Sequence, residues 1–322
     1  METRTLGKTD LCVTRICFGT MTMGGQADEA TSQTMIDRGL DDGINFFDTA
    51  NVYNKGRSEE LLGKALKGRR DKVVLASKVR GVMGEAAEEK GLSRAAIHKA
   101  IDDSLRRLGT DYVDLYYLHH PDYAVPVEET LEAMDALVRA GKVRYPATSN
   151  YAAWQTAEML AIAREKSYRP ATVAQPMYNL LARGLEQEFV PMAKHFGISM
   201  AVYNPLAGGL LTGKQTREAP AAGTRFDNNQ MYLDRYWHPA YFDAVEKLRG
   251  IATQAGRSMV SLSLNWLLHH SAVDCVILGA SRLEQLDANL RALKDGPLMQ
   301  DTLEACDAVW QQLRGVTPRY NR

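Results

Sequence analysis

Cysteine is scarce in this sequence. The 322 residues include four cysteines, Cys12, Cys17, Cys275 and Cys306. No two of them form a CxxC pair, and no histidine stands beside them at the spacing of a metal site. Four cysteines are too few to form a disulfide framework for a chain of this length. We therefore expect reduced core thiols, a cytoplasmic protein and no bound metal.

An excess of either charge is also missing, since 39 Lys and Arg residues balance 39 Asp and Glu residues. Net charge therefore gives no reason to expect nucleic acid or an anionic membrane as partner. No run approaches the roughly 18 apolar residues of a membrane span. Charged residues break up the first fifteen positions, so a secretory signal is not expected. The remaining composition, 45% hydrophobic and 24% charged, is typical of a soluble globular protein.

Short apolar or β-branched runs recur along the chain and predict its fold. They start at Ile16, Ile44, Val73, Val113, Val143, Ala171, Ser199 and Val273. The first six steps are 28 to 40 residues long, enough for a strand, a helix and two loops. Eight such repeats predict an α/β fold, a (β/α)₈ TIM barrel forming a single domain over residues 1–322. A doubly wound open sheet is the alternative, but no Gly-x-Gly-x-x-Gly follows any run.

Helical patterns lie between these runs. In Ser93–Leu108 an apolar stripe follows a candidate N-cap serine, and Gly109 fits the C-terminal stop. Residues 128–140 repeat the pattern. The seventh step spans 74 residues, and positions 204–239 within it read as a long loop after the seventh strand. A loop of this length is usually functional.

Three successive strands end in ionisable residues: Asp48, Lys78 and His119, with Tyr53 five positions after Asp48. The C-terminal ends of parallel barrel strands meet on one face, where active sites lie. A phenol is a weak acid, with a reference pKa of about 10, and a nearby ammonium makes it a better proton donor. Lys78 can supply that charge, and Asp48 can hold the ammonium in place by an ion pair. The alternative interpretation is that Asp48 and Lys78 form a purely structural ion pair. His119 can orient a carbonyl oxygen.

The other strand ends add hydrogen-bonding or special residues to the same face. They are Gly19, Thr20, Ser149, Asn150, Gln175, Tyr203, Asn204, Gly279 and Ser281. A ring of such groups predicts a binding site. His119 and His120 cannot both face it, because adjacent strand residues point in opposite directions.

Two segments are candidates for phosphate binding. Gly208 to Lys214 nearly spells a P-loop, but Gln215 stands where that motif needs Ser or Thr. An NTPase is thus the weaker interpretation, and a dinucleotide pyrophosphate bound by backbone N–H groups and Lys214 is the stronger. After the eighth strand, Ser281 and Arg282 precede a helical pattern whose start can also attract phosphate.

The sequence resembles the aldo-keto reductase family over essentially its whole length, and within it the aflatoxin-aldehyde reductase branch. The matching motifs are Gly43-Ile-Asn-Phe-Phe-Asp-Thr-Ala-Asn-Val-Tyr53, Ser58-Glu59 with Leu62-Gly63, Ser77-Lys78, Leu108-Gly-Thr-Asp-Tyr-Val-Asp-Leu-Tyr116 through His119, Ser149-Asn150, Tyr151-Ala-Ala-Trp154, Met177-Tyr-Asn179, Asn204-Pro-Leu-Ala-Gly-Gly-Leu-Leu-Thr-Gly-Lys214 and Arg235-Tyr-Trp237. The resemblance implies NADPH-dependent reduction of aldehydes, some of them dicarbonyls or carboxylate-bearing. It also implies a catalytic tetrad of Asp48, Tyr53, Lys78 and His119, with Tyr53 as general acid.

We expect cofactor contacts from the strand ends and the two phosphate segments. The predicted residues are Thr20, Asp48, Ser149, Asn150, Gln175, Tyr203, Asn204, Pro205, Leu206, Gly208, Lys214, Arg225, Gly279, Ser281, Arg282, Gln285 and Asn289. By resemblance, the Tyr203 ring stacks on the nicotinamide and the last four residues bind the adenosine end. Arg282 can match a 2′-phosphate, so NADPH is expected rather than NADH, although Arg282 could instead be a solvated helix residue.

The expected partner is a small-molecule carbonyl substrate, and a homo-oligomer stays open. Tyr232 and Trp237 are predicted to form apolar walls of the substrate site, although such aromatic residues could instead anchor the loop. Arg235 and Arg322 are predicted to bind a substrate carboxylate, with Arg225 as a further candidate. Two rival functions are a class I aldolase with Lys78 as Schiff base and a cofactor-sensing subunit like the channel β-subunits of this fold.

Two departures from the family pattern stand out. Asn51 occupies an often acidic position, and Pro146-Ala147 could shift the fifth strand's end.

Overall fold

The computed structural model describes residues 1–316, and these form two compact units. The first comprises Met1–Pro176, Pro191–Val202 and Asp274–Leu286, and the second comprises the remaining described residues. The sequence-based expectation of one domain stays a prediction. Within residues 1–316, no helix combines the length and hydropathy that crossing a bilayer requires.

The first unit contains a closed barrel of eight parallel strands, which confirms the predicted (β/α)₈ fold. Two short antiparallel strands, β1 (Thr3–Thr5) and β2 (Cys12–Thr14), precede it. The barrel strands are β3 (Ile16–Gly19), β4 (Phe46–Asp48), β5 (Val74–Val79), β6 (Val113–Leu118), β7 (Val143–Ser149), β8 (Val173–Gln175), β9 (Ser199–Val202) and β10 (Cys275–Gly279). They pair in chain order, and β10 closes the ring against β3. Every barrel strand starts within two residues of its predicted start.

Helices follow the strands along the chain. They are α1 (Glu29–Asp41), α2 (Arg57–Ala65), α3 (Arg94–Leu108), α4 (Val127–Arg139), α5 (Ala153–Lys166), α6 (Phe189–Phe196), α7 (Gln230–Tyr236), α8 (Pro239–Gln254), α9 (Met259–Leu268), α10 (Leu283–Leu293) and α11 (Gln300–Arg314). In α3, Ser93 Oγ accepts from Ala96 N–H at 3.3 Å, and Gly109 has the left-handed conformation with φ 63°. Both predicted ends of this helix are therefore confirmed.

Strand β7 keeps its register through Pro146, where the sequence suggested a disturbance. Leu118 still pairs with Thr148 on one side, and Ser149 pairs with Gln175 on the other. The barrel strands are buried almost throughout, as parallel strands covered on both faces should be. Three of the cysteines are buried, but Cys12 is exposed, so the expectation of core thiols was wrong for that residue. Its side chain lies on a short strand outside the barrel.

The second unit contains the long segment after β9. The predicted loop is partly ordered by a short 3₁₀ segment, Ala207–Thr212, and by α7. Aromatic residues hold it. Tyr232 packs edge-on against Phe226, with ring centroids 6.1 Å apart, and Tyr236 OH accepts from Asn204 Nδ2 at 2.9 Å. In the same unit, α8 packs against α11.

Candidate active site

The first unit brings the four predicted catalytic side chains to the C-terminal end of its barrel. Asp48 is the last residue of β4, Lys78 lies near the end of β5, and His119 directly follows β6. Tyr53 begins a short 3₁₀ turn, in which Asn54 has φ 48°. Asparagine tolerates that left-handed conformation, and its Nδ2 donates to Met23 O at 2.7 Å, which fixes the turn.

Lys78 is the centre of this cluster. Its side chain is 0% exposed, and Nζ donates to Asp48 Oδ1, to Thr49 O at 2.8 Å and to Tyr53 OH at 3.3 Å. All three donors of the ammonium are thereby used. Burial by itself lowers the pKa of Lys78, but the charges and hydrogen bonds of Asp48 and Tyr53 outweigh it, so the pKa is raised. The lysine therefore stays charged beside the phenol.

The direction of these bonds also defines the state of Tyr53. An ammonium can only donate, so the phenol oxygen accepts from Lys78 and its own O–H donates elsewhere. A positive charge next to the oxygen favours phenolate and strengthens the phenol as a proton donor. This geometry is what a general acid requires.

His119 lies against Tyr53, with ring centroids 5.9 Å apart in an edge-on arrangement. Burial lowers its pKa well below the usual value, and the positive charge of Lys78 adds to this. The ring is therefore neutral near pH 7 and can donate one hydrogen bond. His120 has a different neighbour, since its Nε2 lies 3.1 Å from Arg80 Nη1. Both histidines lie beyond the end of β6, and their ring centroids are 5.9 Å apart.

A chain of hydrogen bonds connects His119 with Asp48 across two further strand ends, those of β7 and β8; we call it the strand-end network. Asn150 Nδ2 donates to His119 O at 2.8 Å and to Ser149 Oγ at 3.0 Å. Ser149 Oγ donates to Gln175 O at 2.8 Å, and Gln175 Nε2 donates to Asp48 Oδ2 at 2.9 Å. Three residues predicted as cofactor contacts therefore also link the predicted catalytic residues.

A second group supports the strand ends from the start of α2, and sequence reasoning missed its role. Ser58 Oγ donates to Thr20 O at 2.8 Å and lies 3.0 Å from Thr49 Oγ1. Glu59 is 0% exposed; its carboxylate accepts from Ser77 Oγ at 2.5 Å and Arg107 Nε at 2.7 Å. The Ser58-Glu59 motif was visible in the sequence, but nothing there showed which strands it would reach.

Thr20, predicted as a cofactor contact, belongs to this supporting group. It is fully buried, and its Oγ1 lies 2.8 Å from Ser58 Oγ and 3.1 Å from Asp48 O. Its hydroxyl is thus occupied within the protein.

The segment after β10 presents features that fit a phosphate. Ser281 N–H and Oγ both donate to Gln285 Oε1, at 2.9 and 3.0 Å, which shapes the turn before α10. Arg282 is exposed at the start of that helix, and no carboxylate of residues 1–316 lies within 4.0 Å of its guanidinium. Gly279 ends β10 and is itself exposed. A helix start with an adjacent free cation attracts anions.

The predicted glycine-rich loop lies in the second unit, and its N–H groups are not all available. Gly208 N–H donates to Asn204 Oδ1 at 2.8 Å, and Gly209 N–H donates to Leu206 O at 2.8 Å. The expected cradle of glycine N–H groups was therefore wrong for these two residues, because the loop uses them to hold its own turn. Lys214 is exposed beyond that turn.

Three other predicted cofactor residues of the second unit differ in exposure. Tyr203 directly follows β9 and is partly exposed, whereas Pro205 is buried. Asn289 is buried on α10. Their assignment stays a prediction.

The predicted substrate residues of the second unit contact two aromatic rings, Tyr232 and Phe226. Tyr232 is 3% exposed and packs on Phe226. Arg225 Nη1 donates to Tyr232 OH at 3.2 Å, and the Arg235 guanidinium lies 5.6 Å from the ring centroid. Trp237 is partly exposed and contacts Phe226, with ring centroids 5.2 Å apart. Tyr232 thus anchors the segment instead of presenting an open wall.

Arg322, the last predicted substrate residue, lies outside the described residues.

Comparisons with known proteins agree with this geometry. The Aldo/keto reductase family profile matches residues 15–311. Aflatoxin B1 aldehyde reductase member 2 from Mus musculus is 38% identical, over 95% of this chain and 87% of its own length. Aldo-keto reductase family 7 member A3 from Homo sapiens is also 38% identical, over 95% and 96%. A probable voltage-gated potassium channel subunit beta from Oryza sativa is 34% identical, over 99% and 100%.

The chain belongs to the aldo/keto reductase family. It is an NAD(P)H-dependent oxidoreductase that acts on small carbonyl compounds.

Proposed function

We propose that the protein reduces aldehydes to alcohols with NADPH and that Tyr53 is the general acid. The observation that carries this proposal is the contact of 3.3 Å between Lys78 Nζ and Tyr53 OH. This contact places a weak acid, the phenol, beside a buried ammonium that Asp48 holds in place.

The steps assigned to the protein follow from these contacts. A nicotinamide cofactor, when bound, supplies the hydride for the carbonyl carbon. Tyr53 donates its proton to the carbonyl oxygen, and the phenolate that remains is stabilised by the Lys78 ammonium. His119, neutral at pH 7, donates a hydrogen bond that orients the same oxygen. Asp48 keeps Lys78 charged and in position.

The choice of NADPH rests on Arg282. Its exposed guanidinium, unpaired among the described residues, stands at the start of α10, where a 2′-phosphate can be matched. We also propose Ser281 and Gln285, which shape that turn, as cofactor residues. Apart from Gly208, the remaining predicted cofactor residues are proposed on the sequence alone, and so is a cytoplasmic location.

Carboxylate-bearing aldehydes and dicarbonyls are the proposed substrates. Support comes from Arg225 and Arg235, since neither guanidinium has a carboxylate of the described residues within 4.0 Å. Arg322 is proposed as a third cation from the sequence alone.

A panel of aldehydes assayed by the loss of NADPH absorbance tests the function. Turnover of several aldehydes, with little activity on NADH, is the expected result. Tight NADPH binding without turnover of any carbonyl compound would instead favour a cofactor-sensing subunit. This is the second candidate function, because the rice relative is named a probable channel subunit. Covalent trapping of a carbonyl compound on Lys78 by borohydride would favour the aldolase.

A further inference from the structure

We propose that Gln175 is a positioning residue that orients the Asp48 carboxylate, and through it the Lys78 ammonium. This inference rests on the proposed function and gives Gln175 a task besides contact with a cofactor. Gln175 is 3% exposed and Asp48 is 2% exposed, so neither exchanges its partner for bulk water.

The direction of the Gln175–Asp48 bond follows from chemistry. A carboxylate paired with an ammonium only accepts hydrogen bonds, so the amide nitrogen of Gln175 must face it. Gln175 Nε2 donates to Oδ2 at 2.9 Å, while Lys78 Nζ donates to Oδ1. The two donors hold the two oxygens and thereby fix the rotation of the carboxylate plane.

Gln175 is itself held in place by backbone contacts. It is the last residue of β8, it pairs in register with Ser149, and Ser149 Oγ donates to its carbonyl oxygen at 2.8 Å. The side chain therefore starts from a fixed point on the barrel. Because Ser149 is bonded to Asn150, and Asn150 to His119 O, the same network sets the position of His119.

Removing the amide leaves Oδ2 buried without a donor. A buried carboxylate oxygen without a hydrogen-bond donor has a high free energy. The carboxylate therefore rotates towards another donor and displaces the Lys78 ammonium that is bonded to it. The other titratable groups facing Asp48 are Tyr117, Cys17 and Cys275. Burial raises the pKa of each of these three groups, and the negative charge of Asp48 raises it further. All three groups therefore stay protonated and add no negative charge beside the carboxylate.

Two variants separate positioning from cofactor contact. Gln175→Met keeps the length and removes the donor, so kcat should fall about 10-fold or more, the effect of losing one hydrogen bond to a charged group. Cofactor affinity, measured by fluorescence titration, should change much less. A loss of about 10-fold in cofactor affinity with unchanged kcat would overturn the proposal, since Gln175 would then only bind cofactor.

Gln175→Glu supplies a diagnostic pH profile. The introduced carboxyl donates to Asp48 when protonated and repels it when ionised. Activity should therefore approach that of the parent at low pH and fall as pH rises, a limb that neither the parent nor Gln175→Met shows. Parallel pH profiles for all three proteins would contradict the inference.

A structural readout keeps this test independent of turnover. Crystal structures of the parent and Gln175→Met without cofactor should differ in the Asp48 side-chain torsion and in its contact with Lys78. An unmoved carboxylate would overturn the positioning role. A parent protein that turns over no aldehyde would instead overturn the proposed function and leave this comparison intact.

Discussion

The barrel of the first unit buries one paired aspartate at each end, and the two differ in their partners. At the C-terminal end, Asp48 is bonded to Lys78 and Gln175, all three almost fully buried. Towards the N-terminal end, Asp114 is 2% exposed and accepts from Leu75 N–H at 2.9 Å. It also accepts from two arginines, Arg70 at 2.8 Å and Arg144 at 2.8 Å.

The difference shows how one type of pair serves two purposes. The Asp114 arginines reach the surface, and Arg144 continues to Asp10 at 2.8 Å, so this network ends in structural contacts. Lys78 instead donates its third hydrogen bond to the phenol oxygen of Tyr53. A buried charge that also touches a titratable group can tune chemistry, whereas one that touches only ion-pair partners serves stability.

Lys78→Met should have the largest effect. Removing the ammonium leaves Tyr53 a poor acid, so kcat should fall by roughly 100-fold or more, within the range for general acid catalysis. Steady-state kinetics with NADPH measures this. Lys99→Met, on the surface of α3, is the matched control and should keep full activity. Near-normal turnover by Lys78→Met would leave the Asp48 pair as purely structural.

Asp114→Asn should lower the stability of the protein and leave its turnover unchanged. Breaking a buried pair leaves cations without their counter-charge, and because both arginines reach solvent we expect a loss of about 2 kcal/mol in the free energy of unfolding. Denaturant unfolding measures it, with the exposed Asp71→Asn as control. The kcat should be unchanged. A large drop in kcat at intact stability would erase the distinction between the two ends.

Arg282→Ala extends the comparison to an exposed cation at the C-terminal end. Loss of a charge-assisted contact should weaken NADPH by about 1.5–3 kcal/mol and NADH much less. Fluorescence titration of both cofactors measures the difference, and Arg291→Ala near the end of the same helix is the control. Equal weakening would show that Arg282 only supports the turn.

A smaller effect should appear in the pH dependence of stability. The folded pKa of His119 lies below that of the unfolded chain, so the unfolded state binds more protons as pH falls below about 6.5. The free energy of unfolding should therefore decrease there, and less so in His119→Gln. The exposed His195 is the site of a control substitution, His195→Gln. His120 and His270, whose pKa values are also lowered, keep part of the effect.

The sequence predicted the barrel and the cluster of catalytic candidates for a simple reason. Strand ends of a parallel barrel meet on one face, so Asp48, Lys78 and His119 had to converge once the strands were located. Side-chain partners were not predictable in this way. The bond from Gln175 to Asp48 depends on rotamers and on the distance across the barrel, neither of which follows from spacing.

The second unit shows the same limit. Its glycines suggested open N–H groups, but the side chain of Asn204 takes the Gly208 donor. The Tyr232 ring suggested a substrate wall, yet it lies buried against Phe226. Irregular segments satisfy their backbone groups locally, and those local bonds cannot be predicted from composition.

Tyr53→Phe tests the central claim most directly, because it removes one oxygen and keeps the ring against His119. Turnover of an aldehyde and NADPH affinity should be measured on the same preparation. We expect kcat to fall by roughly 100-fold or more while the dissociation constant for NADPH stays nearly constant. A variant that keeps most of its kcat would show that the proton comes from another group, and the account of the Lys78–Tyr53 contact would be wrong.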